Sequence, residues 1–410
     1  MMKECIKVKI DDVIQPNTHL LIVWSEARHV LMEIEQSLLK KFKIDHRSEI
    51  QWSESLYHQN MSRFYGKKLP DISKKVEHCG TGPFVAYILT DSTPDWGLVD
   101  TSSGLQRVNL NMFKEKNELR KLSGGGHKIH ATNNQSETLR DVSLIFGLEF
   151  PEISNQFSVI HRDITGAVSW ASLTEFFSVM NFCVKYLVLR NFESLPEIHD
   201  ATIHGDIDIL CPDHHEFAAL ANAKSVFPQN YRRYHMINVD GDEIPVDIRD
   251  AYEGYYCYKW SMDILRNREQ RKGVYVPNRR DHLYSLAYHA LVHKKTASPD
   301  YCAELIEIFE HGEDKISHAN EMGFLSDKVR SHMFSNGYSF TRPKDWSVLF
   351  NYSNVPEIRT PWFNLILSPP RTLRHLKREF KNIAFGYYHH RASQFTKSII
   401  HLARSAGKIK

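Results

Sequence analysis

The chain is organised around the stretch Ile203-His204-Gly205-Asp206-Ile207-Asp208-Ile209-Leu210. Two aspartates stand one residue apart in an otherwise apolar run. Because side chains at positions i and i+2 of a strand face the same way, Asp206 and Asp208 are predicted to project from one face, with Ile207 and Ile209 buried on the other. Two carboxylates this close repel each other unless a cation lies between them. The stretch therefore predicts a cation site on a buried strand.

A third acid follows on a second strand-like run, Ile244-Pro245-Val246-Asp247-Ile248-Arg249. Asp206, Asp208 and Asp247 on neighbouring strands predict a site for metal-assisted phosphoryl or nucleotidyl transfer. Mg²⁺ (or Mn²⁺) is the expected cofactor, because it takes hard oxygen ligands and leaves room for phosphate oxygens. A solvated turn or a calcium loop is the alternative. A turn would not carry Ile and Leu at alternating positions, and a calcium loop would need more oxygen donors nearby.

Length and composition indicate a protein of two or three domains with an ordinary globular make-up, since 410 residues are 42% hydrophobic and 25% charged. The net charge of +3 gives no general attraction to nucleic acid, and no DNA partner is expected. The six cysteines show neither pairing nor metal spacing. No signal-peptide pattern and no apolar stretch of spanning length is found, so the cytoplasm is the expected compartment.

Residues 1–150 alternate between strand-like and helical patterns. Strands are predicted at 18–24, 82–89 and 127–130, and helices at 27–42, 54–65 and 136–146. The segment 91–107 is polar and is expected to be a loop. This order predicts a small α/β sandwich.

His130 ends one of these strands and precedes a helix that contains acids. A histidine in that place can be oriented by a carboxylate and exposed to a phosphate. From the residues alone, a histidine that caps or fills the strand end is the more ordinary interpretation.

Residues 1–150 also resemble the nucleoside diphosphate kinases. That family has a strand ending in Lys-Pro-Asp, a Ser-Gly-Pro-Val-Val-Ala-Met strand, and a catalytic Asn-Ile-Ile-His-Gly-Ser-Asp-Ser segment before a helix with a Glu. Segments 20–27, 82–89 and 127–134 are similar to these three. The resemblance implies a ferredoxin-like domain in which His130 is the phosphate-accepting histidine. It places Thr132 on the serine and Asp141 on the Glu.

Two positions depart from the family pattern. Trp24 stands where the family has a phosphate-binding lysine, and His127 stands where it has an asparagine. Replacing an ammonium with an indole removes a full charge from a phosphate site. The resemblance therefore favours a nucleotide-binding or regulatory domain, with a phosphohistidine intermediate as a secondary expectation.

Residues 151–345 present a helix at 169–182, a strand at 183–189, the aspartate strand, a helix at 213–223 and the strand of Asp247. This order resembles the nucleotidyltransferase fold of the DNA polymerase β superfamily, which carries an Asp-x-Asp strand and a third Asp on a later strand. The segments Leu-Arg-Asn-Phe-Glu and Asp-Ile-Asp-Ile-Leu resemble those of bacterial nucleotidyltransferase-like proteins of surface-polysaccharide loci. The resemblance implies a mixed α/β (α+β) fold, with a helical C-terminal part after the nucleotidyltransferase sheet.

The implied activity is transfer from a nucleotide or CDP-activated donor to a sugar or glycan acceptor in surface-polysaccharide biosynthesis. Asp206 and Asp208 would bind the metal and the donor phosphates, and Asp247 would complete the site and activate the acceptor hydroxyl. The family's Gly-Ser loop is missing, which fits a donor of different shape from a nucleoside triphosphate. The alternatives are a phosphohistidine enzyme acting through His130 and a non-catalytic nucleotide-binding scaffold.

Arginines and histidines near the acids are further candidates for substrate binding. Arg190 and Arg249 flank the acids and can hold phosphate bidentately, or can pair with Glu193 and Asp250 at the surface. His204 adjoins the aspartate strand and is expected to contact a phosphate or act as a base, unless it is structural.

A predicted helix at 281–295 carries His289 and His293, which are four residues apart and therefore share one face. Two histidines without the Glu of a His-Glu-x-x-His motif are a weak metal signal. His289, His293 and Lys294 are instead expected to contact an anionic donor or acceptor, with packing as the alternative.

Residues 346–410 are predicted to form an aromatic, proline-containing linker and a basic amphipathic helix. Ten Lys and Arg residues beyond Pro370 are opposed by Glu379 alone, and apolar residues are interleaved with them. Such a helix can lie on an anionic bilayer, which would place the protein peripherally at the inner membrane. A partner-docking helix and an RNA-binding tail are the alternatives.

Overall fold

A computed structural model describes residues 8–66, 74–101, 104–150, 159–197, 205–228, 232–295, 305 and 321–351. The strands in these ranges are β1 Val8–Lys9, β2 Thr18–Val23, β3 Lys43–Gln51, β4 Phe84–Thr90, β5 Trp96–Thr101, β6 Gly104–Asn109, β7 Ile129–Ala131, β8 Glu149–Phe150, β9 Val159–His161, β10 Leu187–Val188, β11 Ile207–Cys211, β12 Lys224–Ser225, β13 Tyr234–Val239, β14 Asp242–Asp250, β15 Glu269–Arg271 and β16 Val274–Val276. The α-helices are α1 Ile10–Val13, α2 Leu31–Lys41, α3 Tyr57–Phe64, α4 Lys74–Cys79, α5 Leu110–Leu122, α6 Gln135–Phe146, α7 Leu173–Cys183, α8 His214–Leu220, α9 Tyr258–Arg266, α10 Arg279–Val292 and α11 Glu321–Ser335. The fold is thus mixed α/β, as predicted.

The first sheet has the strand order β7-β2-β4-β3-β9. All six residues of β2 are buried, which suits an apolar, β-branched strand inside a sheet with both faces covered. Neighbours among β7, β2, β4 and β3 are antiparallel, while β9 joins β3 in parallel. Helices α2 and α5 pack on one face and α3 and α6 on the other. The sheet includes β9, which follows the predicted boundary at residue 150.

The prediction of a loop at 91–107 was wrong, because β5 and β6 form an antiparallel hairpin there. Leu98 and Leu105 are both 69% exposed on it. A hairpin that projects away from a core needs no burial-driven alternation of apolar and polar residues, so its sequence looks like a loop. Helix α5 follows directly, and the Asn109 side chain caps it by accepting hydrogen bonds from two backbone N–H groups.

The second sheet has the order β10-β11-β14-β13-β12 and carries the three acids. Strand β11 is parallel to β14, and Asp208 lies directly opposite Asp247. Ile207 and Ile209 belong to the core formed with α7 and α8, whereas Leu210 belongs to the core formed with α9, α10 and α11. Because strand residues alternate between faces, Asp208 faces the side of α9 and α10.

Arg63 of α3 connects the layers of the two sheets. Its guanidinium donates hydrogen bonds to the carbonyl oxygens of Thr165, at 2.7 Å, and Leu220, at 3.0 Å. The side chain is 2% exposed and lies over the ring of Trp170, with 5.3 Å from Cζ to the ring centroid. Because Thr165 and Leu220 follow the first sheet's helices in the chain, these hydrogen bonds tie helix α3 to the segments that pack around the second sheet. The described residues accordingly fall in one compact unit.

Two predicted features fall on residues that the structure does not describe. The predicted boundary between the first two domains opens the undescribed range 151–158, and most of the predicted linker and basic helix lies in 352–410. Within the described ranges, no helix is long and apolar enough to cross a membrane. Four cysteines in these ranges, Cys79, Cys183, Cys211 and Cys257, are free and buried.

Candidate functional site

Three carboxylates meet where β11 and β14 run side by side. Gly205, with a φ of +69°, precedes Asp206 just before the start of β11. One oxygen from each of Asp206, Asp208 and Asp247 lies within 4.8 Å of the others, a grouping that can hold a metal ion. Asp208 is 3% exposed and Asp247 is 8% exposed. The predicted trio is therefore brought together at a largely buried place.

Two arginines approach these acids but do not balance their charge. Arg190 Nη2 donates a hydrogen bond to Asp208 Oδ1, and Arg249 Nε donates to Asp247 Oδ2 at 2.9 Å. Both arginines are buried with the acids and do not lie at the surface, where pairing with Glu193 or Asp250 was the alternative. Burial, reinforced by the charges of Asp206 and Asp247 and opposed by Arg190, raises the pKa of Asp208 to about 7. Burial likewise raises the pKa of Asp247.

One oxygen of this group lacks a protein partner. Among the described residues, none donates a hydrogen bond to the buried Oδ1 of Asp247. An unsatisfied buried acceptor costs about 1–3 kcal/mol, and a carboxylate oxygen costs more. A divalent cation is the ligand that would satisfy this oxygen together with Asp206 and Asp208. The residues present therefore fit a metal ion.

Arg249 is fixed by two further carboxylates. Its Nη1 donates to Asp345 Oδ2 at 2.9 Å and to Glu253 Oε1 at 3.3 Å. Arg233 Nε donates to the second oxygen of Glu253 at 2.9 Å. Burial raises the pKa of Glu253 to about 7, against the opposing charges of Arg249 and Arg233. Glu253, Asp345 and Arg233 were not predicted from the sequence. Glu253 lies four positions from Arg249 but belongs to no recognisable motif, and Asp345 lies 96 positions away.

Tyr255 is a fourth residue of the site that was not predicted from the sequence. Its hydroxyl lies 3.2 Å from Arg190 Nη1 and 2.6 Å from His289 Nδ1. Tyr255 is 1% exposed, and the guanidinium of Arg249 lies over its ring at 4.9 Å. The aromatic pair Tyr255-Tyr256 soon after the third acid is the signal in the sequence that could have indicated it.

The remaining candidates near the acids are placed unequally. His289 and His293 are 6% and 3% exposed, and the His293 ring centroid lies 4.1 Å from that of Tyr255. Both histidines thus belong to the surroundings of Tyr255. Lys294 follows α10 and is exposed. His204 lies outside the described residues.

His130 lies on β7 and points toward α3 and α6. Its Nε2 lies 2.7 Å from Asp141 Oδ2, and Arg140 Nε donates to Asp141 Oδ1 at 2.8 Å. The rings of Phe64 and Tyr65 meet the imidazole edge to face at centroid distances of 5.1 and 6.2 Å. Burial alone would raise the pKa of Asp141, but Arg140 and His130 outweigh it and the net shift is downward. His130 and Asp141 are therefore brought together as the resemblance implies.

Thr132 and Trp24 have structural surroundings. The Thr132 hydroxyl accepts a hydrogen bond from the Leu20 backbone N–H at 3.0 Å and lies 2.8 Å from the Thr138 hydroxyl. Thr132 is fully buried, so the structure does not present it to a ligand beside His130. Trp24 is also fully buried, within an aromatic cluster that includes Trp52 and Phe84. The indole thus fills core volume.

A second grouping of possible ligands surrounds His130. Atoms of His130, Glu137 and Asp141 also lie within 4.8 Å of one another. Here the carboxylates already have donors: Arg140 contacts Asp141, and Glu137 Oε2 accepts from the Asn133 backbone N–H at 2.8 Å. A guanidinium therefore already compensates the charge of Asp141 in this grouping.

Comparisons with known proteins add little to this geometry. No family model and no curated protein matches the chain. Among solved structures, a crystal form of the nucleoside diphosphate kinase of Aquifex aeolicus is similar at 19% identity and a TM-score of 0.23. The similarity covers 33% of this chain and all of the kinase chain. At this TM-score it determines neither fold nor function.

Proposed function

We propose that this chain is a metal-dependent transferase of nucleotidyl or substituted phosphoryl groups. The observation that supports it most is the group of three carboxylates with the unpartnered Oδ1 of Asp247. Such a group is built for a divalent cation, for which Mg²⁺ or Mn²⁺ is the best fit to all-oxygen ligands. Bound there, the cation would supply neutralisation of charge on the transferred phosphoryl group.

The protein's own residues divide the remaining work. Asp206 and Asp208 would hold the cation, and Asp247 would complete the metal site and accept the proton of the acceptor hydroxyl. A carboxylate whose pKa is raised by burial is a better proton acceptor near neutral pH than an exposed one. Arg249, fixed by Glu253 and Asp345, keeps Asp247 in place and free to use its Oδ1.

Fold features support the nucleotidyltransferase interpretation without testing it. The acids lie on adjacent parallel strands, with helices on both faces of a mixed sheet. The order of β7, β2, β4 and β3, which is fourth, first, third and second along the chain, is that of a ferredoxin-like sheet. We accordingly propose a kinase-like N-terminal domain and a nucleotidyltransferase-like central domain.

The proposed donor is a nucleotide or a CDP-activated compound, and the proposed acceptor is a sugar or glycan of the cell surface. The segment before the acids carries Arg190-Asn191-Phe192-Glu193 and not a Gly-Ser loop. A buried site with more acids than arginines disfavours a triphosphate, since each further phosphate adds negative charge. A donor with a diphosphate link places less charge there.

A ligand screen by thermal shift tests the proposal. Wild type and Asp206→Asn/Asp208→Asn are heated with Mg²⁺ and each of CTP, ATP, GTP, UTP, CDP-ribitol and CDP-glycerol. Ligands that bind the folded state raise the melting temperature. A shift with a CDP-linked donor that the double variant loses supports the proposal. A shift that survives the double variant, or none at all, contradicts it, and the latter favours a scaffold.

A phosphohistidine enzyme acting through His130 is the second candidate, and the 2.7 Å contact between His130 and Asp141 favours it. A carboxylate in that place orients the imidazole. Radiolabelled ATP separates the two candidates. Acid-labile label that is lost in His130→Ala and kept in Asp206→Asn would support the second, while protein without such label would exclude it.

A further inference from the structure

Arg190 is shared between an acid of the metal group and a neutral hydroxyl. Its Nη2 donates to Asp208 Oδ1, and its Nη1 donates to the Tyr255 hydroxyl at 3.2 Å. The two contacts use different nitrogens of one planar fork. Arg190 can therefore lose one of them and remain attached by the other.

The direction of each hydrogen bond between Arg190, Tyr255 and His289 follows from which of these groups can donate. A guanidinium only donates, so the Tyr255 oxygen accepts from Arg190. The phenolic hydrogen is then left for His289 Nδ1, 2.6 Å away, which has to be unprotonated to accept it. Burial, followed by the charge of Arg190, lowers the pKa of His289 well below its ordinary value, in agreement with a neutral ring. His289 and Tyr255 thus form a polarised support for the guanidinium.

Arg249 shows what a permanently fixed arginine looks like in the same site. It contacts three carboxylates, those of Asp247, Glu253 and Asp345. Arg190 is shared instead between the carboxylate of Asp208 and the neutral phenol of Tyr255.

We propose that Arg190 is an internal counter-ion that a divalent cation has to displace from Asp208, and that Tyr255 and His289 are positioning residues that keep the displaced guanidinium beside the site for the donor's phosphates. The inference rests on the proposed function of the three acids. Its physical basis is that two cations compete for the carboxylate of Asp208. Its consequence is that Arg190 weakens binding of the metal alone and strengthens binding of the metal with a phosphate ligand.

Isothermal titration with Mn²⁺ alone, and then with Mn²⁺–pyrophosphate, tests this on the full chain. Arg190→Gln should bind Mn²⁺ about tenfold more tightly than wild type, since a competing charge is gone. The same variant should bind Mn²⁺–pyrophosphate about tenfold more weakly, because a phosphate partner is gone. Tyr255→Phe should also weaken Mn²⁺–pyrophosphate binding. Arg266→Gln, which removes an exposed arginine paired with Asp263, is the matched control and should change neither.

The opposite signs in one variant are the diagnostic result, because loss of structure would weaken both ligands. Affinities of Arg190→Gln that move in the same direction, or do not move, overturn the proposal. If that variant does not fold, Arg190→Met takes its place, since it also removes the charge while keeping an unbranched side chain, and it should likewise bind Mn²⁺ more tightly and Mn²⁺–pyrophosphate more weakly. Asp208→Asn separates the two levels: unchanged Mn²⁺ binding there refutes the metal site itself, whereas lost binding with no gain in Arg190→Gln refutes only the role of Arg190.

Discussion

The His130 group and the aspartate group both bring a carboxylate next to a basic side chain, yet their charges are balanced differently. Asp141 is held on both oxygens, by His130 and by Arg140. Asp247 is held by Arg249 on one oxygen, and no described residue donates to the other. The net pKa shift is downward for Asp141 and upward for Asp247, although both side chains are buried.

Asp141 is arranged to orient its neighbour His130, whereas Asp247 is arranged to bind a ligand. A saturated, ion-paired acid stabilises the metal-free fold, because its charge is compensated within the protein. An acid with an unsatisfied oxygen and like-charged neighbours destabilises the same fold until a cation arrives. The first arrangement suits the support of His130, and the second suits metal-dependent chemistry.

Removing Asp141 from the His130 group should lower the free energy of unfolding more than any other change considered. Asp141→Ala leaves Arg140 without its buried partner and removes the acceptor of His130, so the free energy of unfolding should fall by about 3–5 kcal/mol. Urea denaturation measures it. Glu137→Ala, which removes an acid of the same helix that lies 3.9 Å from Arg140 instead of 2.7 Å, serves as the control and should cost less than half as much. Equal costs would show that Asp141 has no special role.

Acid should destabilise the N-terminal half through His19. Its Nδ1 donates to the Thr132 carbonyl at 3.2 Å, and its Nε2 accepts from Asn109 at 3.0 Å, so the neutral ring is satisfied and a second proton would break the latter bond. Burial lowers the pKa of His19 from 6.5 to about 4. The unfolded chain therefore takes up a proton below pH 6.5 that the folded chain refuses. Stability from this group is complete above about pH 6.5 and declines by up to about 3 kcal/mol toward pH 4.

Urea unfolding across that pH range, in wild type and His19→Gln, measures the effect. The variant should show a flatter dependence, since it lacks the group that titrates. The contribution of Asp208 to stability depends on pH in the opposite direction to that of His19. Because the pKa of Asp208 is raised to about 7 in the folded protein, protonation of this residue favours the metal-free folded state as the pH falls. Identical pH profiles of wild type and His19→Gln would contradict the assignment to His19.

Removing a charge from the aspartate group should change the free energy of unfolding least, and in the absence of metal it should increase that free energy. Without divalent cations, Asp206→Asn relieves repulsion on two buried acids, and unfolding should cost about 0.5 kcal/mol more than in wild type. Added Mg²⁺ should reverse the order, since only wild type keeps the full ligand set. Asp100→Asn, an exposed acid on the hairpin, is the control. A variant that is less stable than wild type in both conditions would show that Asp206 is structural.

Local patterns in the sequence predicted much of what lies in the interior. The apolar run of β2 and the alternation around Asp206 and Asp208 identified the central strands, because burial imposes those patterns. The contact between His130 and Asp141 followed from a family resemblance alone. The side chain of Thr132, which the same resemblance placed at the site, is instead bonded to the backbone of β2.

Other features depend on contacts that no sequence window contains. Asp345 reaches Arg249 from 96 positions away, and Tyr255 joins Arg190 to His289 across 65 and 34 positions. The β5–β6 hairpin was missed for the opposite reason, since it has little burial to leave a pattern. The pairing of both arginines with the acids also differs from the surface pairing that the sequence left open as an alternative, because the fold buries both arginines.

The most direct test of the metal site is a Mn²⁺ titration of wild type, Asp247→Asn and His130→Ala by calorimetry at neutral pH. If the unbalanced carboxylates bind the metal, wild type should take up Mn²⁺, His130→Ala should match it, and Asp247→Asn should bind at least about tenfold more weakly. Binding that Asp247→Asn retains and His130→Ala loses would place the metal at the wrong group and contradict the proposed function.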